Sequence, residues 1–178
     1  TLTVGPEPQT VVAAPAQTSI AGWHGNRLWL VYPNPADRLQ FSAPLKFKPG
    51  MAIADLEFDP SNFAPSTTVN GNGGGWLNVS DGEHSPAITA LHPFDQYLLI
   101  FKRTQVFALS GHSEETFSVN KISDVAGASG AESVAEHDGL VYFLGDRGLI
   151  VTDGTDVQPV QGNENVQEPE NICLCFIC

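Results

Sequence analysis

The sequence predicts an all-β protein built of antiparallel meander repeats, β-propeller-like and about three blades long, with a β-sandwich as the structural alternative. Three observations predict it. Bulky apolar residues fall in short runs at 27–32, 97–101 and 140–144, each bounded by Gly, Pro, Asn or Asp, which is how strands read. The chain has 17 Gly and 13 Pro among 178 residues, and that density of turn formers leaves little room for long helices. The three runs also superpose as an internal repeat.

In each unit a short strand of small residues leads through a turn into a bulky strand, and a second turn leads into a strand ending in a small or polar residue. The units cover 19–43, 87–111 and 133–154. Their anchors, Ile20, Ile88 and Val134, are spaced 68 and 46 residues apart, and the second spacing is that of a propeller blade. The longer first spacing implies an insertion, placed at 60–86, where the Gly- and Asn-rich stretch 61–75 reads as a loop. Candidate fourth strands lie at 53–58, 116–122 and 157–160. Residues 1–17 read as an extended N-terminal segment, 18–160 as the β domain and 161–178 as a poorly ordered tail. The three bulky runs each read as a buried strand, with Trp29, Tyr97 and Tyr142 as core residues.

Eight basic against twenty acidic residues give a formal charge of −12, which disfavours gripping nucleic acid or an anionic membrane by bulk charge. The acids concentrate in the second part: residues 1–103 hold six bases and eight acids, residues 104–178 two bases and twelve acids. No apolar run approaches the roughly 20 residues of a membrane-spanning helix. Cys173, Cys175 and Cys178 crowd the end of the chain in a spacing unlike paired zinc knuckles, so the body is expected to hold without disulfides.

The chemistry-bearing residues form no recognisable catalytic or metal motif, and no enzyme activity, cofactor or metal is expected. His24, His84, His92, His112 and His137 lack the spacing of a helical zinc site. His24, His92 and His137 recur near the turn after the first strand of each unit, which argues for turn structure. The GxSxG elbow is absent. The glycines at 71–75 have neither the Lys-Ser/Thr nor the helix that a phosphate cradle needs. Asp138-Gly139 and Asp153-Gly154 read as hairpin turns before they read as cation ligands. Trp76, after the glycine run and outside the repeats, is the candidate partner contact, its alternative being to anchor a long loop. A glycan-binding or hydrolase module using turn acids such as Asp95, Asp138 and Asp153 is the rival class.

The succession Gly25-Asn-Arg-Leu-Trp29, Leu39-Gln-Phe-Ser42, Ile88-Thr-Ala-Leu91, Leu98-Leu-Ile-Phe-Lys102, Val106-Phe-Ala-Leu-Ser-Gly111, Asp138-Gly-Leu-Val-Tyr-Phe143 and Arg147-Gly-Leu149 resembles the tail-tube, or nozzle, proteins of short-tailed bacteriophages. The resemblance covers roughly residues 19–155. It implies a propeller-like part of a structural virion protein, assembled in the bacterial cytoplasm into a ring, a hexamer in that family. Its implied partners are its own copies, an adaptor, other tail proteins, and double-stranded DNA that passes without tight binding. Members of the family are several times longer, so the chain is expected to be a fragment or a reduced version. An acidic channel wall would repel phosphate, and Glu114, Glu115, Asp124, Glu132 and Glu136 are its candidate residues. The competing expectation is a basic patch of Arg27, Arg38, Lys46, Lys48, Lys102 and Arg103 that holds DNA.

Overall fold

Three two-residue turns set the architecture. Gly25-Asn26 joins β1 (Ala21–His24) to β2 (Arg27–Val31), and Asp138-Gly139 joins β9 (Val134–His137) to β10 (Leu140–Gly145). All four turn residues have φ between 50° and 72°, the left-handed pairs that suit the twist of a tight hairpin. Asp95-Gln96 makes the corresponding turn between β5 (Ile88–Phe94) and β6 (Tyr97–Lys102), with Asp95 at φ 49°.

From each hairpin the chain continues as a meander. β3 (Arg38–Phe41) and β4 (Gly75–Asn78) complete the first sheet, β7 (Val106–Ser110) and β8 (Ser118–Ser123) the second, and β11 (Gly148–Thr152) and β12 (Val157–Pro159) the third. Every pairing is antiparallel between sequence neighbours. This computed structural model describes residues 18–44, 63, 73–80 and 85–160. Strands make up 53% of the described residues, and they contain no α-helix. The all-β meander of three four-stranded sheets is the predicted fold class, and among the described residues it does not close into a complete propeller.

The first sheet corrects one expectation. Its fourth strand is Gly75–Asn78, inside the stretch read as a loop insertion; the segment 53–58 lies outside the described residues. Gly75 hides this strand from a composition reading. A Cβ there would come within 2.8 Å of the Phe41 ring, so the glycine is what lets Phe41 lie over its own sheet partner.

The second sheet lies between the other two. One core joins it to the first sheet through Trp29, Leu39, Phe41 and Leu77 on one side and Leu98, Ile100, Leu109 and Phe117 on the other. Within it Trp29, Phe41 and Phe117 stack as tilted or edge-on rings with centroids 5.1–5.2 Å apart. The second core joins the second and third sheets through Leu99, Phe101, Val106, Val141, Phe143 and Ile150. Alternating residues of β6 therefore enter different cores, which explains its unbroken apolar sequence. β10 is different. Val141 and Phe143 are buried, but Leu140, Tyr142 and Leu144 point away from the core, and Leu144 is 49% exposed. The reading of Tyr142 as core, and of its strand as buried on both faces, is corrected: this is an end sheet with a single covered face.

The sheets are stacked with their first strands together and equivalent ends aligned. β1 packs against β5 and β6, and a Cβ on Gly22 would touch Leu91 at 3.3 Å. His92 of β5 meets Glu136 of β9 at 3.3 Å. Between the second and third sheets the crossing segment is bonded to both: Ala128 N donates to Lys102 O and Ser129 N donates to Leu144 O.

Candidate functional site

Strand alternation places Leu140, Tyr142, Leu144, Leu149, Val151 and Val160 on one side of the third sheet, facing away from the molecule's cores. Leu149 is 46% exposed and Val160 40%. A depression of about 580 Å³ runs across this side, lined by Leu140, Tyr142, Val151, Gln158, Pro159 and Val160. Leu144, Leu149 and Val160 are the exposed members of this apolar side, and the remaining three are half-buried.

Carboxylates border it. Asp153 and Asp156 line an adjoining depression with Leu140, Val151 and Gln158. Asp153 Oδ1 accepts hydrogen bonds from the Thr155 and Asp156 backbone N–H groups and from the Thr155 hydroxyl, which hold its pKa down at about 2. Bonds from the Gln158 side chain and the Val157 N–H lower that of Asp156. Both acids stay ionised while tying the β11–β12 loop. Asp95 and Asp138 sit at positive φ in two other hairpins, and Asp138 is 3.2 Å from His137. The turn acids that the hydrolase reading would use come from three connections at one end of the stacked sheets, where Gly154 packs on Phe94 and Tyr97, the pair that closes the Asp95 hairpin.

The acids expected on one channel wall are not brought together. Glu114 and Glu115 lie in the connection from β7 to β8, whereas Asp124 follows the opposite end of β8, a six-residue strand about 20 Å long. Glu132 is in the short 3-10 turn Ala131–Ser133 ahead of β9, and Glu136 is on β9 itself, engaged by His92. Asp124 instead shares a depression with Arg103, Asp146 and Arg147 between the second and third sheets.

The basic patch is also dismantled. Arg27 is 1% and Lys102 0% exposed. Arg27 donates from Nη1 to the Ser42 and Gly73 carbonyls, both at 2.7 Å, and its guanidinium lies 5.5 Å from the Phe41 and Phe117 ring centres. Lys102 Nζ donates to Val79 O and Ser85 Oγ and sits over Phe107. Arg103 forms a two-bond ion pair with Asp146, at 2.8 and 3.0 Å. Lys46 and Lys48 lie outside the described residues. Strand parity was the signal for the buried cations, since Arg27 alternates in phase with Trp29, and Lys102 with Ile100.

Trp76 is part of β4, not a loop outside the repeats. It pairs with Gln40 and is half-buried on the outward side of the first sheet. Arg38 stacks over it at 4.4 Å, reaches Tyr32 at 5.8 Å, and donates from Nε to Asn78 Oδ1.

A polar cluster lies at the joint of the first and second sheets. His24 is 8% exposed, and its backbone carbonyl accepts from Trp29 Nε1. His24 Nε2 and Glu114 Oε1 are buried with no hydrogen-bond partner among the described residues. Burial, then the charge of His112, lowers the His24 pKa; burial raises that of Glu114 against the pull of Arg27. His24 and His137 close equivalent hairpins, while His92 sits two residues before the closing pair Phe94 and Tyr97. Among the described residues no group of three His, Cys, Asp or Glu side chains is placed to hold a metal ion, and no helix is long and apolar enough to cross a membrane. Cys173, Cys175, Cys178 and His84 lie outside the described residues.

Neither protein-family models nor curated proteins give any match to this chain.

Proposed function

We propose that this chain is a non-catalytic structural subunit of a short-tailed phage virion, a propeller-like part of the tail tube or nozzle that works by assembly. The observation that carries this reading is the uncovered apolar side of the third sheet. A stacked β unit that leaves such a face open is built to be completed by further protein, as repeat arrays are. The repeat succession and its resemblance to nozzle proteins supply the particular assembly, with further copies, an adaptor and other tail proteins as partners. The excess of acid, −12 over the whole chain, suits a passage through which double-stranded DNA slides without being held. Repulsion here comes from the overall charge, since the five candidate wall residues occupy different ends of the sheets.

The direct test is mass spectrometry of purified virions of the phage that encodes the chain. Peptides of this protein at the copy number of other tail-ring components support the reading; their absence from virions contradicts it. A second expectation is that the assembled protein binds duplex DNA no more tightly than about 10⁻⁴ M at physiological salt, the weak end of non-specific binding. A salt-sensitive micromolar complex would contradict a non-retaining conduit.

A further inference from the structure

We infer that the stack carries an acid-sensitive joint: protonation of His24 parts the first sheet from the second, while the second and third sheets stay together. This device belongs to the single chain and does not rest on the assembling-subunit reading.

Strand alternation puts His24 on the side of β1 that carries Gly22, and its partner Arg27 on the side of β2 that carries Trp29, all facing the second sheet. The β1–β2 turn abuts the β7–β8 connection, since a Cβ on Gly25 would stand 3.9 Å from Gly111 O and 4.0 Å from His112 Nδ1. His24 therefore closes this joint at its hairpin end. Its Nε2 is buried without a hydrogen-bond partner among the described residues, so the Nε2–H of an imidazolium would have no acceptor there. The surrounding groups supply no counter-ion. Its partner in register is a cation, Arg27, and the β7–β8 connection brings His112, Glu114 and Glu115. β5, β6 and their turn carry His92, Asp95, Tyr97 and Lys102. Among the described residues no carboxylate lies at ion-pair distance from His24.

Burial, then the charge of His112, holds the His24 pKa below the ordinary 6.5, and opening the joint restores that value. The proton therefore favours the open joint as pH falls through 6.5 toward the lowered value. Glu114 has the opposite sign: burial raises its pKa, and its protonation favours the closed joint as pH falls toward the ordinary 4.5. The joint between the second and third sheets is built differently. Ala128 N donates to Lys102 O, Ser129 N donates to Leu144 O, and Arg103 holds Asp146 through two bonds across the seam. His92 Nε2 lies 3.3 Å from Glu136 Oε2, so a proton on this histidine completes an ion pair between β5 and β9. Protonation thus works against the first joint and for the second.

Hydrogen bonds at the two joints serve as reporters. Trp29 is fully buried and its Nε1–H is bonded to His24 O, so this group exchanges with solvent when the first joint opens, whereas the Ala128 and Ser129 N–H groups report the second. Hydrogen exchange by NMR on the whole chain, at about pH 7.5 and about pH 5.5 with each rate corrected for its intrinsic value, tests the device. Protection of the Trp29 indole N–H is expected to fall by up to about tenfold, the limit for uptake of one proton at an ordinary histidine pKa. Protection at Ala128 and Ser129 should change by less than about twofold. His24→Gln should abolish the acid response at Trp29. The unmodified protein gives a second readout, since the His24 imidazole followed by NMR should titrate below the ordinary value. Equal loss of protection at all three groups, which is global unfolding, overturns the inference; so does a Trp29 insensitive to acid, a response retained in His24→Gln, or ordinary titration of His24.

Discussion

Gly127 occupies the tightest point between the second and third sheets. A Cβ there would stand 2.0 Å from the Lys102 carbonyl oxygen, and one on Gly145 would stand 2.2 Å from the Gly127 carbonyl oxygen. Both obstacles are backbone and cannot swing aside. Gly127→Ala is expected to lower stability by about 3 kcal/mol, at the upper end of overpacking effects, measured by urea unfolding; a loss under about 0.5 kcal/mol would show that the seam is loose. His24 gives a second test, in pH. Its folded-state pKa lies below the ordinary 6.5, so the unfolded chain binds more protons, and stability falls as pH drops through 6.5 toward the lowered value. Glu114 acts with the opposite sign: its raised pKa favours the fold at low pH, a contribution lost as pH rises from the ordinary 4.5 through the folded value. His24→Gln should therefore be less sensitive than wild type to acidification from about pH 7.5 to about 5.5, the range of histidine titration. Equal slopes would place His24 in solvent. The turn residues Asp138-Gly139 were legible in the sequence because a two-residue hairpin has few solutions. Arg27 and Lys102 were not, because a cation count treats every base as surface, and only strand parity shows which ones enter a core.

At the scale of strands, β6 and β10 look alike in sequence and differ in burial. Both are unbroken apolar runs, but β6 is covered on two sides and β10 on one. The run alone cannot distinguish an interior sheet from an end sheet, since the open side of β10, with Leu140, Tyr142 and Leu144, is as apolar as its covered side. That ambiguity is why Tyr142 was misread and why the outward face was not located from sequence. The missed β4 has a local cause: glycines signal a loop, and the need for Gly75 beneath Phe41 exists only once the strands are paired. The burial difference has an energetic consequence. Phe101, 0% exposed and 5.0 Å from the Phe143 ring centre, should cost about 3–5 kcal/mol when replaced by alanine. Leu144→Ala, on the open face, should cost the isolated chain no more than about 0.5 kcal/mol. Thermal unfolding of the two variants at a dilution where the protein is a single chain compares them directly, and similar losses would mean that the third sheet's outer side is already covered within one molecule.

At the scale of the whole molecule, three stacked meanders account for the fold class read from the repeat, and among the described residues they leave the outer side of the third sheet open. The acid excess was legible by counting; its distribution was not, because Glu114 and Asp124 are ten residues apart in sequence yet lie at opposite ends of a strand. The central claim is that these sheets are completed by assembly. Negative-stain electron microscopy of the purified whole chain tests it most directly. Closed particles with a central opening are the predicted result. A field of uniform, single-chain particles with no opening would contradict it, by showing that the three sheets need no further protein to cover them.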